Sequence, residues 1–404
     1  MRTVKLIAGV FTAVVFGAAP HALLAQGKLA GSAESGFGPV FELWRFSGDG
    51  IPQPTIDGSG SVFVTRASQW SVPIALTVPL GDRWTVDLSG AYARGEVRLS
   101  GNDPVTGSDG YSLSGLADLR VRATGRLVGD NVLVTAGINL PTGATELDED
   151  ELSALRVLAA PALSFQVPVL GVGGSGTLGV VLARQIGAWA WAFGASYEMR
   201  NKYTPVSIAA GLPVELSPGD AFRISLGTDR LVGQNSMTVG LSADFYTNDE
   251  LETGTGGGAA TAESQLGPIF TADWQYHAVT SRFRELTFYV VERYRSQYKR
   301  DGRNVADSDA NYLDGGVRAV AGVTPATGIL VALNARHQTG LGSDRSLTTA
   351  AIASGALTLG LVQQLGSNYS LQPFVRVQGG RLESGDASST ATGFSGGLTF
   401  RIRL

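Results

Sequence analysis

The last eleven residues, 394–404, read FSGGLTFRIRL. In an extended strand successive side chains point to opposite faces. One face then carries Phe394, Gly396, Leu398, Phe400, Ile402 and Leu404, and the other carries Ser395, Gly397, Thr399, Arg401 and Arg403. Large apolar groups thus stand back to back with arginines. A soluble sheet hides its apolar face under a second layer, and this chain has little to build one from. A transmembrane β-barrel turns the apolar face to lipid and the charged face to a wet lumen.

The same alternation recurs upstream. Trp84, Val86, Leu88, Gly90 and Tyr92 share one face, with Thr85, Asp87, Ser89 and Ala91 on the other. The eight steps from Trp84 to Tyr92 cover roughly 20 Å along a membrane normal, at about 3.3 Å per residue and a tilt near 40°. That matches an apolar band edged by aromatic residues. Beyond Tyr92 the outward positions become Arg94, Glu96 and Arg98, so the strand continues past lipid into water. In the next hairpin Leu119, Val121, Ala123 and Leu127 alternate with Arg120, Arg122, Thr124 and Arg126, and Val132–Leu140 returns after Gly129-Asp130-Asn131. Further segments follow at 178–186, 189–199, 206–216, 222–228, 237–245, 266–277, 284–298, 313–323, 329–337, 347–365 and 371–382.

Short connections at 80–83, 129–131, 324–328 and 366–369 interleave with long polar ones at 100–114, 141–154, 247–264, 299–311 and 383–390. This is the habit of an outer-membrane barrel, and the segments give about 16 strands, within roughly 14–18, the hairpins near 187 and 217 being the flexible part of the count. The expected fold is therefore an all-β, transmembrane antiparallel β-barrel. A soluble β-helix would show a fixed short repeat, which is missing.

The ends and composition agree. Arg2 and Lys5 precede the apolar stretch Leu6–Ala19, and Ala25 offers a small residue before a cut, so 1–25 reads as a signal peptide. Residues 26–60 are the least regular part and read as either a first strand around Phe37–Phe46 or a plug; 61–404 is the barrel. No later window holds 18 consecutive apolar residues, so helical spans are not expected. Charged residues are only 16% of the 404, against about 25% in soluble domains. With no cysteine, disulfide and thiolate chemistry are excluded. A formal charge of −4 gives no reason to expect a nucleic-acid partner.

The inward faces hold the candidate functional residues: Asp118, Arg120, Arg122 and Arg126; Glu285, Tyr289 and Arg293, with Arg295; Arg336, with Asn334; Arg376, with Gln378; and Arg401, with Arg403. A charged wall keeps a lumen wet and biases which solutes cross it. Other motifs carry less. Gly171, Gly173 and Gly176 spell G-x-G-x-x-G, but a strand follows where a dinucleotide site needs a helix. Asp307, Asp309 and Asn311 open like a calcium loop, yet Tyr312 and Arg318 stand where that loop needs Gly and Glu. The acidic run Glu146–Glu151, with Thr145 and Asp148, is expected to cap a short solvated helix in a loop. His337 falls on an outward face near Ser343 and Ser346, with no spacing that makes a catalytic pair, and no cofactor or metal is expected.

Ser114-Gly115-Leu116-Ala117-Asp118-Leu119 opens one strand and Leu140-Pro141-Thr142-Gly143 closes the next. Together they resemble the outer-membrane barrels of the phenol-degradation pathway (MetA-like) family, which are similar to long-chain fatty-acid transporters. That resemblance implies uptake of small hydrophobic or aromatic compounds and no catalytic residues. Leu404 departs from the terminal Phe or Trp usual in such barrels, and no N-terminal plug of the fatty-acid-transporter type is recognisable. The reading is a bacterial outer-membrane channel (a porin-like transporter) for passive uptake of small solutes, anionic or aromatic, with outer-membrane lipid around it. The alternative is a structural or docking barrel that binds another envelope component. Oligomeric state, substrate and gate stay open.

Overall fold

A computed structural model describes residues 34–48, 51–52, 62–102, 107–127, 131–208, 212–253, 260–339, 351–384 and 387–403. The signal-peptide reading of 1–25 lies outside these residues, as do Ser343 and Ser346.

The wall begins with one strand in three pieces, β1 (Glu34–Phe37), β2 (Val40–Gly48) and β3 (Ile51–Pro52). At the break Gly38 lies so close to β25 that a Cβ would sit 1.7 Å from the carbonyl oxygen of Leu398, so no larger residue fits there. β4 (Phe63–Leu80) and β5 (Trp84–Leu99) follow, then a second broken strand, β6 (Gly110–Leu116) and β7 (Leu119–Leu127), both paired to β5. Next come β8 (Val132–Leu140), β9 (Ser175–Ile186) and β10 (Trp189–Arg200). Between β8 and β9 lies the one helix among the described residues, α1 (Glu149–Leu158).

After β10 the hairpin β11 (Tyr203–Ile208) and β12 (Leu212–Ser217) precedes β13 (Ala221–Val232) and β14 (Asn235–Tyr246). The pair β15 (Asn248–Thr253) and β16 (Ala260–Gln265) precedes β17 (Ile269–Ala278) and β18 (Phe283–Arg295). The short β19 (Lys299–Arg300) and β20 (Arg303–Asn304) precede β21 (Ala310–Thr324), β22 (Thr327–Gln338), β23 (Ala351–Gln364), β24 (Tyr369–Ser384) and β25 (Ala387–Arg403).

Every wall strand pairs antiparallel with its chain neighbour, and β25 pairs back onto β1 and β2. Counting each broken strand once gives a closed 16-stranded antiparallel barrel. Closure leaves no unpaired edge, which is what permits strands in hydrocarbon. Three expectations need correction. Residues 206–216 are not a wall strand: β11 and β12 fold as a hairpin in a separate six-stranded sheet with β15, β16, β19 and β20, beyond one end of the barrel. The region 383–390 is not a long loop, because β24 and β25 stay paired out to Ser384 and Ala387. The helix in the loop after β8 is not solvated, as described below.

Outside, the wall is apolar. At one end, Tyr197, Phe222, Phe245, Phe270 and Tyr294 follow one another across β10, β13, β14, β17 and β18. Phe245 and Phe270 meet edge to face at 6.5 Å. At the other end Trp189, Arg230, Met237, Tyr276 and Phe288 form the matching row, with Arg230 over the Trp189 ring at 5.2 Å. Leu178, Val180, Leu182, Phe193, Leu226 and Leu241 fill the band between and are exposed. An exposed apolar belt on a closed barrel is a lipid surface. The protein is a membrane-spanning barrel of the bacterial outer-membrane type. The long connections sit at one end and the short ones at the other, which orients the former outward and the latter to the periplasm.

Candidate functional site

The segment 141–174 does not stand outside the barrel; it folds into the lumen. Asp148 starts α1 with a full capping box: its carboxylate accepts from Glu151 N at 2.8 Å, and Glu151 accepts from Asp148 N at 3.2 Å. Thr145 is not the cap. The apolar stripe of α1 and the turns after it then pack on the inner wall. Leu155, Leu158, Leu163, Phe165 and Val167 are buried with Trp44, Ala67, Val97, Tyr111, Ile352 and Leu382. Burying one such large side chain contributes about 1.5–3 kcal/mol, so the lumen side of β2, β4–β6 and β23–β25 holds a small dry core. Gly95 makes room for it, since a Cβ there would lie 2.2 Å from Leu158 Cδ1.

Polar wall residues hold the chain beyond the helix. Trp44 donates its indole N–H to Leu163 O at 2.9 Å. Gln69 clasps Val167, donating to its carbonyl at 2.6 Å and accepting from its N–H at 2.9 Å. Glu42 accepts from Gln166 N at 2.7 Å, and Arg336 donates to Ser164 Oγ.

Asp118 has a different place from the open path expected of it. It is buried in the gap between β6 and β7. One carboxylate oxygen accepts from Gly143 N at 2.9 Å, and the other from Val172 N at 2.8 Å and Asn139 Nδ2 at 3.0 Å. Gly143 opens the inward segment and Val172 closes it, so one side chain ties both its ends. Thr142 adds to the seat, accepting from Leu119 N at 3.0 Å and donating to Ala117 O at 3.2 Å. The two stretches singled out in sequence, 114–119 and 140–143, are thus the two halves of one clamp.

Opposite the packed segment the wall is lined by small side chains. Thr135 and Gly137 on β8, Thr177 and Gly179 on β9, Ala192 and Gly194 on β10, Ser225 and Gly227 on β13, and Gly240 and Ser242 on β14 take the inward positions, alternating with the lipid-facing residues. The loop narrows one side, and on the other the Asp273 carboxylate of β17 lies over Gly240 and the Ser225 hydroxyl over Gly194.

Charged groups follow the same lining. Arg223 pairs with Asp244. Arg293 lies over the Tyr312 ring at 5.9 Å. Arg336 reaches Asp314 at 3.2 Å, and Asp314 also accepts from Tyr289 and Tyr312, each at 3.1 Å. Arg376 donates to Asn334 at 3.3 Å. Register carries this belt on through Ser395 to Glu42 and Gln69. It brings together Tyr289, Arg293, Arg336 and Arg376 from the sequence-derived set. It adds Glu42, Arg223, Asp244 and Asp314, which the alternation alone had not singled out. Four guanidinium groups, on 223, 293, 336 and 376, face three carboxylates, on 42, 244 and 314. Neither Arg293 nor Arg376 makes an ion pair among the described residues.

The other expected residues lie lower in the lumen, towards the short turns. Arg122 pairs with Asp87 at 2.8 Å, and Thr77 donates to the same carboxylate at 2.8 Å. Glu285 pairs with Arg318. Arg120, Arg126 and Arg401 face inward on β7 and β25. Above the barrel Lys202 bridges Glu215 and Glu252, the latter at 2.8 Å, and this bridge holds the Glu252 carboxyl below its ordinary value. Burial pushes the Asp249 carboxyl in the same sheet upward.

Charged side chains thus line the inside of a closed barrel of the outer-membrane type. Comparison with solved structures returns such barrels. An outer membrane channel from Pseudomonas putida F1 shares 14% identity over 93% of this chain and 97% of that one, with a TM-score of 0.35. An anion-selective porin from Comamonas acidovorans shares 12% over 93% and 100%, with a TM-score of 0.37. OprB of Pseudomonas putida shares 11% over 96% and 97%, with a TM-score of 0.43. No protein-family model and no curated protein matches the sequence.

Proposed function

We propose that the protein is a passive outer-membrane channel for small solutes, with a preference for anionic or aromatic ones. The observation that carries this is the inward segment 141–174, clamped at both ends by Asp118 and packed against one side of a wall whose other side is lined by small residues. A barrel serving only as a membrane anchor has no need of a segment clamped inside its lumen. The belt of arginines in excess over carboxylates, interleaved with Tyr289 and Tyr312, supports the preference. Guanidinium groups hold anions, and rings beside them favour flat apolar solutes through many weak contacts. The sequence resemblance of 114–119 and 140–143 to the MetA-like family favours a place for aromatic compounds among the substrates. No cofactor and no catalytic step enters this reading.

The test is conductance in planar bilayers with a salt gradient. The wild type is expected to conduct and to show a reversal potential on the anion side. Replacing Arg293 and Arg376 together by Gln is expected to move that potential towards cations while conductance persists. A protein that inserts folded yet passes neither ions nor small aromatic acids would overturn the reading.

A further inference from the structure

We infer that the outer surface of the barrel carries a binding site for the phosphate groups of an outer-leaflet glycolipid, formed by Arg45, Arg66 and Arg98. These three residues stand directly opposite one another on β2, β4 and β5, Arg45 against Arg66 and Arg66 against Arg98. All three point away from the lumen, because their neighbours Trp44, Ala67, Val97 and Leu99 are buried inside it. Facing residues on paired strands lie about 4.5–5.5 Å apart between Cα atoms, and like charges placed so repel. A row of three arginines is therefore costly unless an anion sits among them.

The protein supplies only part of that anion. Arg98 leans on Asp109 at 3.4 Å, and the nearby Arg94 on Glu96 at 3.1 Å. Arg45 and Arg66 have no ion-pair or hydrogen-bond partner among the described residues. Two adjacent guanidinium groups are left to bind an external ligand. Guanidinium matches phosphate oxygens with paired N–H donors, which makes phosphate the fitting anion.

Depth identifies the source. On the same strands Trp70 and Tyr92 meet edge to face, with ring centres 5.8 Å apart, at the upper border of the apolar band. Arg66 lies four positions beyond Trp70 on the same face, or roughly 10 Å further out for a tilted strand. Headgroups occupy roughly 5–8 Å beyond the hydrocarbon on each side, and an arginine stem reaches back several ångströms along apolar surface. The row therefore opens sideways to the headgroup layer, not into the lumen and not up into bulk water. Thr392, opposite Arg45 on β25, adds a hydroxyl-bearing neighbour to the row. No such row occurs among the described residues at the periplasmic rim, where Arg230 is stacked on Trp189.

The experiment uses the full mature barrel in neutral-detergent micelles, titrated with bisphosphorylated lipid A and read by native mass spectrometry. The wild type is expected to retain the lipid. The double variant R45Q/R66Q is expected to bind about twenty-five-fold more weakly, on the basis of roughly a factor of five per surface arginine. R45K/R66K should keep part of the affinity, and R184Q, at the opposite rim, should keep all of it. Heat-modifiable gel mobility checks that each variant is a folded barrel. Equal binding by wild type and R45Q/R66Q overturns the site. Equal binding of dephosphorylated lipid overturns phosphate as the recognised group. Displacement by inorganic phosphate at matched concentration overturns the lipid as its source.

Discussion

Asp118 shows how much one side chain can decide. Its carboxylate takes three N–H donors, two of them from the backbone of Gly143 and Val172 at opposite ends of the inward segment. Hydrogen bonds to a charged acceptor contribute about 1.5–3 kcal/mol each and do not add fully. Asp118→Ala is expected to weaken the seat of 141–174 by about 2–4 kcal/mol. Limited proteolysis of the inserted protein should then cut within 147–167 faster than in the wild type, and single-channel conductance should rise and become noisier. Gel mobility should stay that of a folded barrel, because the ladder of β7 and β8 does not depend on this side chain. Loss of the barrel would show instead that the clamp is needed for the wall. In sequence, Asp118 was legible as an inward carboxylate but not as a clamp. Its donors sit at Gly143 and Val172, and nothing local to Asp118 announces them.

The helix α1 and the turns after it are the element on which the pore depends. Leu152, Leu155 and Leu158 recur at helical spacing in a stretch between two wall strands, where a polar loop is the rule. That apolar run was the signal for burial, and the acidic start at 146–151 masked it by suggesting a solvated helix. The packing also relies on Gly95, which faces Leu158 across a space too small for a side chain. Gly95→Val is expected to push the helix off the wall at a cost of about 1–3 kcal/mol. The measurement is the same conductance and proteolysis pair, and an unchanged channel would show that the segment tolerates a shifted helix. One hairpin of the external sheet, at 206–216, was harder to separate from a wall strand, whereas 247–264 and 299–311 read as connections. Its apolar residues mimic a wall strand, and only the pairing of β11 with β12 and of β12 with β15 sets it apart.

At the scale of the whole molecule, two solvents define the barrel. Leu226 and Ser225 are neighbours on β13, one facing lipid and the other the lumen. Leu226→Arg is expected to destabilise the inserted barrel by about 2–4 kcal/mol, as charges near a bilayer midplane do. Ser225→Arg should leave stability nearly unchanged while narrowing the path. Urea unfolding from lipid vesicles separates the two; equal losses would mean that the lumen is as dry as the membrane. The alternation of side chains along each strand, a property of local backbone geometry, was enough for the sequence by itself to determine the barrel, its approximate strand number and its inward arginines. Tertiary structure alone decided which inward groups meet, that 141–174 turns inside, and that Arg45, Arg66 and Arg98 align on the outer face. Those outcomes rest on register between strands distant in the chain and on the shape of the space they enclose, and neither is written in the period of any one strand.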